Sequence, residues 1–216
     1  VNAGNSITSG GNYNVTVGDE AGTAITTGDN NSAVGYNSLA ANTTGANNTA
    51  VGHNSLDANT EGGLNTAVGS ASLGSNTTGV ENTAVGVSSL TANTTASYNT
   101  AMGRSALTTN TTGANNTAIG YDALNANTTA ANNTAVGMNS LVANTTGHSN
   151  TAVGFEAGKA NTTGIRLTAF GYQAGKAHVA TGNVQNVFVG NEAGLGNTTG
   201  VTNTFIGGSA GAANTT

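Results

Sequence analysis

The stretch that decides the fold reads Asn48-Thr49-Ala50-Val51-Gly52-His53-Asn54-Ser55-Leu56-Asp57-Ala58-Asn59-Thr60-Glu61-Gly62-Gly63-Leu64, after which Asn65-Thr66-Ala67-Val68-Gly69 begins the same phrase again. Outward from it, the closing glycine recurs at Gly18, Gly35, Gly52, Gly69, Gly86, Gly103, Gly120, Gly137, Gly154 and Gly171, always 17 residues apart. Gly190 and Gly207 follow at intervals of 19 and 17, which places a two-residue insertion within 177–185. Ala3-Gly4 echoes Ala21-Gly22 at an offset of 18, so a degenerate copy is expected ahead of the twelve. Residues 1–216 therefore read as one repeat domain. Its parts are a degenerate first coil (1–13), regular coils (14–176), the insertion (177–185) and final coils (186–216). A chain that starts and stops inside its own pattern reads as a segment of a longer fibre.

Seventeen residues are too few for a helical hairpin repeat, which needs about 33 or more, and no helical period is present. Gly and the β-branched Thr and Val also disfavour helix. Each copy instead offers two short stretches, Asn-Thr-Ala-Val-Gly and Ser-Leu-x-Ala, separated by residues that favour turns. Stacking such coils predicts an all-β fold, a parallel β-solenoid of about twelve coils paired backbone to backbone at roughly 4.8 Å.

The columns of this stack assign its faces. The residue before the glycine is always apolar: Val34, Val51, Val68, Val85, Met102, Ile119, Val136, Val153 and Phe170. With Leu39, Leu56 and Leu90 from the second stretch, it is expected to form the interior. Asn31, Asn48, Asn65, Asn82, Asn99, Asn116, Asn133 and Asn150 open successive copies, and a second Asn column runs from Asn42 through Asn161. Stacked identical amides predict asparagine ladders.

An interior of one Val, one Leu and small residues per coil is thin, so further burial is expected elsewhere. Alternation turns Ala50, Ala67 and Ala84 away from the Val face. This column is never charged and carries Phe188 and Phe205 near the C-terminal end. It is the expected face for self-association.

Composition narrows the function. Charged residues are 6% of the chain, against about 25% in ordinary domains. Net charge is −5 with four basic residues and no cysteine. No basic patch is available for phosphates, which argues against nucleic acid, and no apolar run approaches the 18–20 or so residues of a membrane span. His53, His148 and His178 fall in different registers, so no metal site is expected. Glu20, Asp122, Glu156 and Glu192 share a register, but no cleft or His–Asp partner accompanies them. No catalytic residue and no cofactor is expected, and the chain reads as a non-enzyme. Lys159 and Lys176 occupy one column in adjacent coils and form a possible small anion contact.

The run Asn31-Ser32-Ala33-Val34-Gly35-Tyr36-Asn37-Ser38-Leu39-Ala40-Ala41 resembles the head repeats of trimeric autotransporter adhesins. Asn203-Thr204-Phe205-Ile206-Gly207 is similar to repeats of phage tail fibres. The Asn-Thr-Thr-Gly turn is an added loop relative to those head repeats. The resemblance implies a left-handed β-roll assembled as a homotrimer, in an extracellular or virion-surface fibre. The expected function is structural and adhesive: a rigid rod that displays contacts to itself and to a host-surface protein or glycan. An ice-binding solenoid and a self-assembling extracellular filament are the alternatives.

Overall fold

The computed structural model describes residues 3–4 and 11–216. The protein is an all-β parallel solenoid with no helix among these residues. The chain divides into two compact units, Val1–Thr112 and Gly113–Thr216. The first contains β1 (Val15–Val17), β2 (Ser32–Val34), β3 (Thr49–Val51), β4 (Thr66–Val68), β5 (Thr83–Val85) and β6 (Thr100–Met102). The second contains β7 (Thr117–Ile119), β8 (Thr134–Val136), β9 (Thr151–Val153), β10 (Gly164–Ile165), β11 (Thr168–Phe170), β12 (Gly182–Asn183), β13 (Val187–Val189) and β14 (Thr204–Ile206).

Equivalent residues sit over one another. Ala50 pairs with Ala33 on one side and Ala67 on the other. In the second unit Ala169 pairs with Ala152 and with Phe188, across the 19-residue interval. The insertion is absorbed between His178 and Asn186, and β10 pairs with the short extra strand β12 there. Of the degenerate first coil, Gly4 donates to the Ala21 carbonyl at 2.9 Å, the bond that Leu56 makes to Ser72 one register on. Residues 1–2 and 5–10 of that coil lie outside the described residues.

Apart from the β10–β12 pair, one strand forms per coil, not the two expected. Ser-Leu-x-Ala is a turn ribbon with positive φ at alternate residues, as in Asn54 (φ 51°) and Leu56 (φ 52°). It still bonds to its neighbours: Leu56 N–H donates to Ser72 O and Asn54 N–H to Tyr36 O, each at 3.0 Å.

The strand faces are the reverse of those expected. Ala50, Ala67 and Ala84 are wholly buried, as is Phe188, and Phe205 is half-buried. These residues line the interior and are not a face for self-association. The supposed interior column points outward. Val34 is 37% exposed, Val51 36%, Met102 41%, Ile119 37% and Phe170 52%, and Val68, Val85, Val136 and Val153 are half-buried. The reason is space. Leu39, Leu56 and Leu90 do point inward and are fully buried. In so short a loop a methyl fits opposite each leucine, whereas a second branched side chain does not. Val accordingly takes the outer face, where its β-branched shape still suits extended backbone.

The same space requirement explains the two repeat subtypes. Where glycine replaces the core leucine, a large apolar residue enters from another column. Phe188 lies between Gly175 and Gly194, whose added Cβ atoms would each come within 2.6 Å of its ring. Ile25 fills the space beside Gly22, and Leu167, fully buried in place of an Asn, fills that beside Gly158.

Both Asn columns are buried, but they bond differently. In the first, the Asn31 side-chain oxygen accepts from the Asn48 backbone N–H (2.9 Å), and Asn48 Nδ2 donates to the Gly62 carbonyl (2.8 Å). Asn65, Asn82, Asn133 and Asn150 bind the preceding amide in the same way. The Asn99 backbone N–H donates to Asn82 Oδ1, and Asn116 Nδ2 donates to the Ala130 carbonyl. These side chains staple backbone to backbone, and Asn82 Nδ2 also donates to Asn65 Oδ1 at 3.2 Å. The side-chain ladder lies in the second column: Asn59 to Asn42 (2.7 Å), Asn76 to Asn59 (2.8 Å) and Asn93 to Asn76 (2.9 Å).

Candidate functional site

With interior and exterior exchanged, the surface available for contact is the outer side of the strands. From β3 to β9, and again in β11, each Thr-Ala-x strand places a Thr and a Val, Met, Ile or Phe on either side of the buried Ala. In the first unit the apolar column runs Val17, Val34, Val51, Val68, Val85 and Met102. In the second it runs Ile119, Val136, Val153, Phe170, Val189 and Ile206, with Ile206 70% exposed. Isolated exposed apolar residues are ordinary, but an unbroken stripe is characteristic of an interface.

A second exposed column follows the turn glycine. Tyr36 and His53 stack there at 5.5 Å between ring centroids, and Phe155 and Tyr172 at 5.3 Å. Their planes are within 16° and 14° of parallel. Each pair covers one face of each ring, and Tyr36 and Tyr172 stay exposed.

Charge gathers around Glu156. Glu156 is pulled between Lys159 (2.5 Å) and Lys176 (2.7 Å), and Gln173 Nε2 donates to it at 3.0 Å. The hydrogen bonds from Lys159 and then Lys176 hold its carboxyl at about 2, well below the ordinary range. The lysine column was visible in the sequence. Its glutamate partner was not, because it comes from a different column of the coil.

Two other ionisable groups have their pKa displaced by burial. Asp57 has its pKa raised by burial. His178 is fully buried and occupies a rung of the second Asn column. Its Nδ1 lies 3.2 Å from Asn197 Oδ1, and its Nε2 is 3.5 Å from Asn186 Nδ2. Burial lowers its pKa. Among the described residues no three His, Asp or Glu side chains gather as a metal site, and no helix is long and apolar enough to cross a membrane.

No protein-family profile, curated protein or solved structure matches the chain.

Proposed function

We propose that the protein is a non-enzymatic structural segment of an extracellular or virion-surface fibre. In this reading it associates with copies of itself, as a homotrimer, and displays adhesive contacts on the remaining surface. The observation that carries the proposal is an outward apolar column in each unit, Val34, Val51 and Met102 in the first and Ile119 and Phe170 in the second. Removing such a column from water is favourable by about 25 cal/mol per Å². An in-register array of short strands offers a repetitive surface that an identical partner can match coil for coil. The backbone bonds between coils supply stiffness, and the exposed residues after each glycine, among them Tyr36, Tyr121 and Tyr172, are the contacts available to a host-surface protein or glycan.

Light scattering on the full chain is the direct test. A mass of three copies is expected, and a single-copy mass at micromolar concentration would remove the basis of the proposal. Binding to immobilised host matrix or glycans tests the adhesive part separately.

One observation keeps an ice-binding reading in play. Thr49, Thr66, Thr83 and Thr100 stack in register beside the Val column on the outer face. Thermal hysteresis above that of a control protein is its required signature. Its absence leaves the fibre reading alone.

A further inference from the structure

On the side of the second unit formed by the Ser-Leu-x-Ala ribbon lies an open groove of about 570 Å³. Its floor is Ala143, Ala160 and Ala177, and Val142 and Leu195 close its ends. The alkyl stems of Lys159 and Lys176 line it as well. Elsewhere in the stack the column that supplies this wall holds short or polar residues such as Ala40, Asp57, Gly74 and Asn125. Here four successive coils carry Val142, Lys159, Lys176 and Leu195, so one longer, largely apolar wall runs beside the alanine floor.

We propose that this groove binds a small amphiphilic anion, a free carboxylate carrying a medium-length alkyl chain. Two features point to that chemistry. First, the charged atoms are confined to one rim. Lys159 and Lys176 both fold back onto Glu156, at 2.5 and 2.7 Å, which fixes two ammonium groups in place. The Glu156 oxygens are occupied by those lysines and by Gln173. Each ammonium has three donors and uses one on this carboxylate. The lysine side chains remain 39% and 34% exposed, so further donors face solvent. Two cations against one carboxylate leave a positive rim in a chain of net charge −5. A second carboxylate arriving beside Glu156 completes the pairing through charge-assisted hydrogen bonds. Second, the body of the groove offers methyl, isopropyl and alkyl surface, which suits a hydrocarbon chain. Its volume falls within the roughly 300–1,000 Å³ range of small-molecule sites. Glu192 continues the Glu156–Gln173 column one coil further on and opposes an anion from that side.

The test is calorimetry and NMR titration of the full chain with octanoate, octanol and acetate. Octanoate is expected to bind saturably at about millimolar concentration or tighter, with shifts at Ala160 and Lys176, and acetate and octanol to bind at least about tenfold more weakly. Lys176→Met keeps the apolar stem and removes the charge, and it is expected to erase the advantage of octanoate over octanol. Ala160→Trp fills the floor and is expected to abolish binding with the melting profile unchanged, and Glu192→Gln is expected to tighten it. Equal binding of octanoate and octanol overturns the proposal, as does binding that survives Ala160→Trp or no saturation at about 10 mM. Capture by phosphatidylglycerol vesicles without octanoate binding assigns the groove to a membrane surface instead, and equally overturns it.

Discussion

At the scale of single residues, the backbone imposes the strictest demands. Gly86 has φ +135°, and a Cβ there would lie 2.6 Å from the carbonyl oxygen of Gly103 in the next coil. Gly86→Ala therefore meets both a forbidden backbone region and a clash with main chain. It is expected to cost at least about 1–3 kcal/mol in chemical denaturation. Gly208 has no atom within 4 Å of an added Cβ, and Gly208→Ala is expected to be nearly silent. Phe188, held between Gly175 and Gly194, is the counterpart in the core. Phe188→Ala leaves a void that neither glycine can fill, and about 3–5 kcal/mol of destabilisation is expected from denaturant melts. The exchange of Leu for Gly in one column was legible in the sequence. Its meaning was not, because the compensating Phe188, Leu167 and Ile25 come from three other columns.

At the scale of the repeating element, backbone hydrogen bonds join the coils, and buried Asn side chains supply further bonds across them. Asn76 donates to Asn59 Oδ1 and Gly79 O and accepts from Asn93. The Gly79 carbonyl keeps its bond from Asn65 when Asn76 is lost, whereas Asn59 Oδ1 is left buried and unpaired. Asn76→Ala is expected to cost about 1–3 kcal/mol for that orphan, read as a lowered denaturation midpoint. His178 shows what an imperfect rung does. Asn161 Oδ1 and Asn197 Nδ2, its ladder neighbours on either side, have no hydrogen-bond partner. The Asn186 amide donates to Gly200 O and accepts from Asn203 N–H, which orients its Nδ2 toward His178 Nε2. A protonated ring would place an N–H against that donor.

The pH dependence follows from the same contacts. Burial lowers the folded pKa of His178 below its ordinary 6.5, so the unfolded chain takes up the proton first. The stability that depends on neutral His178 is complete above pH 6.5 and is lost as pH falls from there through the folded pKa. Thermal melts are expected to decline below pH 6.5, and His178→Asn is expected to flatten that decline. The contribution of Glu156 is separate. Its carboxyl titrates at about 2 when folded against 4.5 ordinarily, so that stability is present above pH 4.5 and is lost between there and pH 2.

At the scale of the whole molecule, the outward Val column and the inward Ala column make opposite predictions from neighbouring residues. Val51→Lys together with Val68→Lys places charge on the outer face, and is expected to lower the mass seen by light scattering to one copy while circular dichroism is unchanged. Ala67→Asp places a carboxylate in a wholly buried site and is expected to prevent folding, because an unpaired buried charge costs several kcal/mol. If the Val variants unfold the chain and Ala67→Asp does not, the faces are assigned the wrong way round.

The 17-residue spacing by itself determined a stack of coils, because only an in-register arrangement places like residues over like through so many copies. It also marked two recurring Asn columns and an inward Leu column, since amides and leucines recurring at one position need a common environment, but not that the first Asn column would bond to backbone rather than amide to amide. Which side of each strand faces inward was decided only by the tertiary structure. Alternation tells Ala50 from Val51 but does not say which is inside. The answer depends on the room left opposite Leu56, a distance across the coil that no linear pattern contains. The pairing of Glu156 with Lys159 and Lys176 was decided in the same way, by turns that bring separate columns of the repeat to one edge.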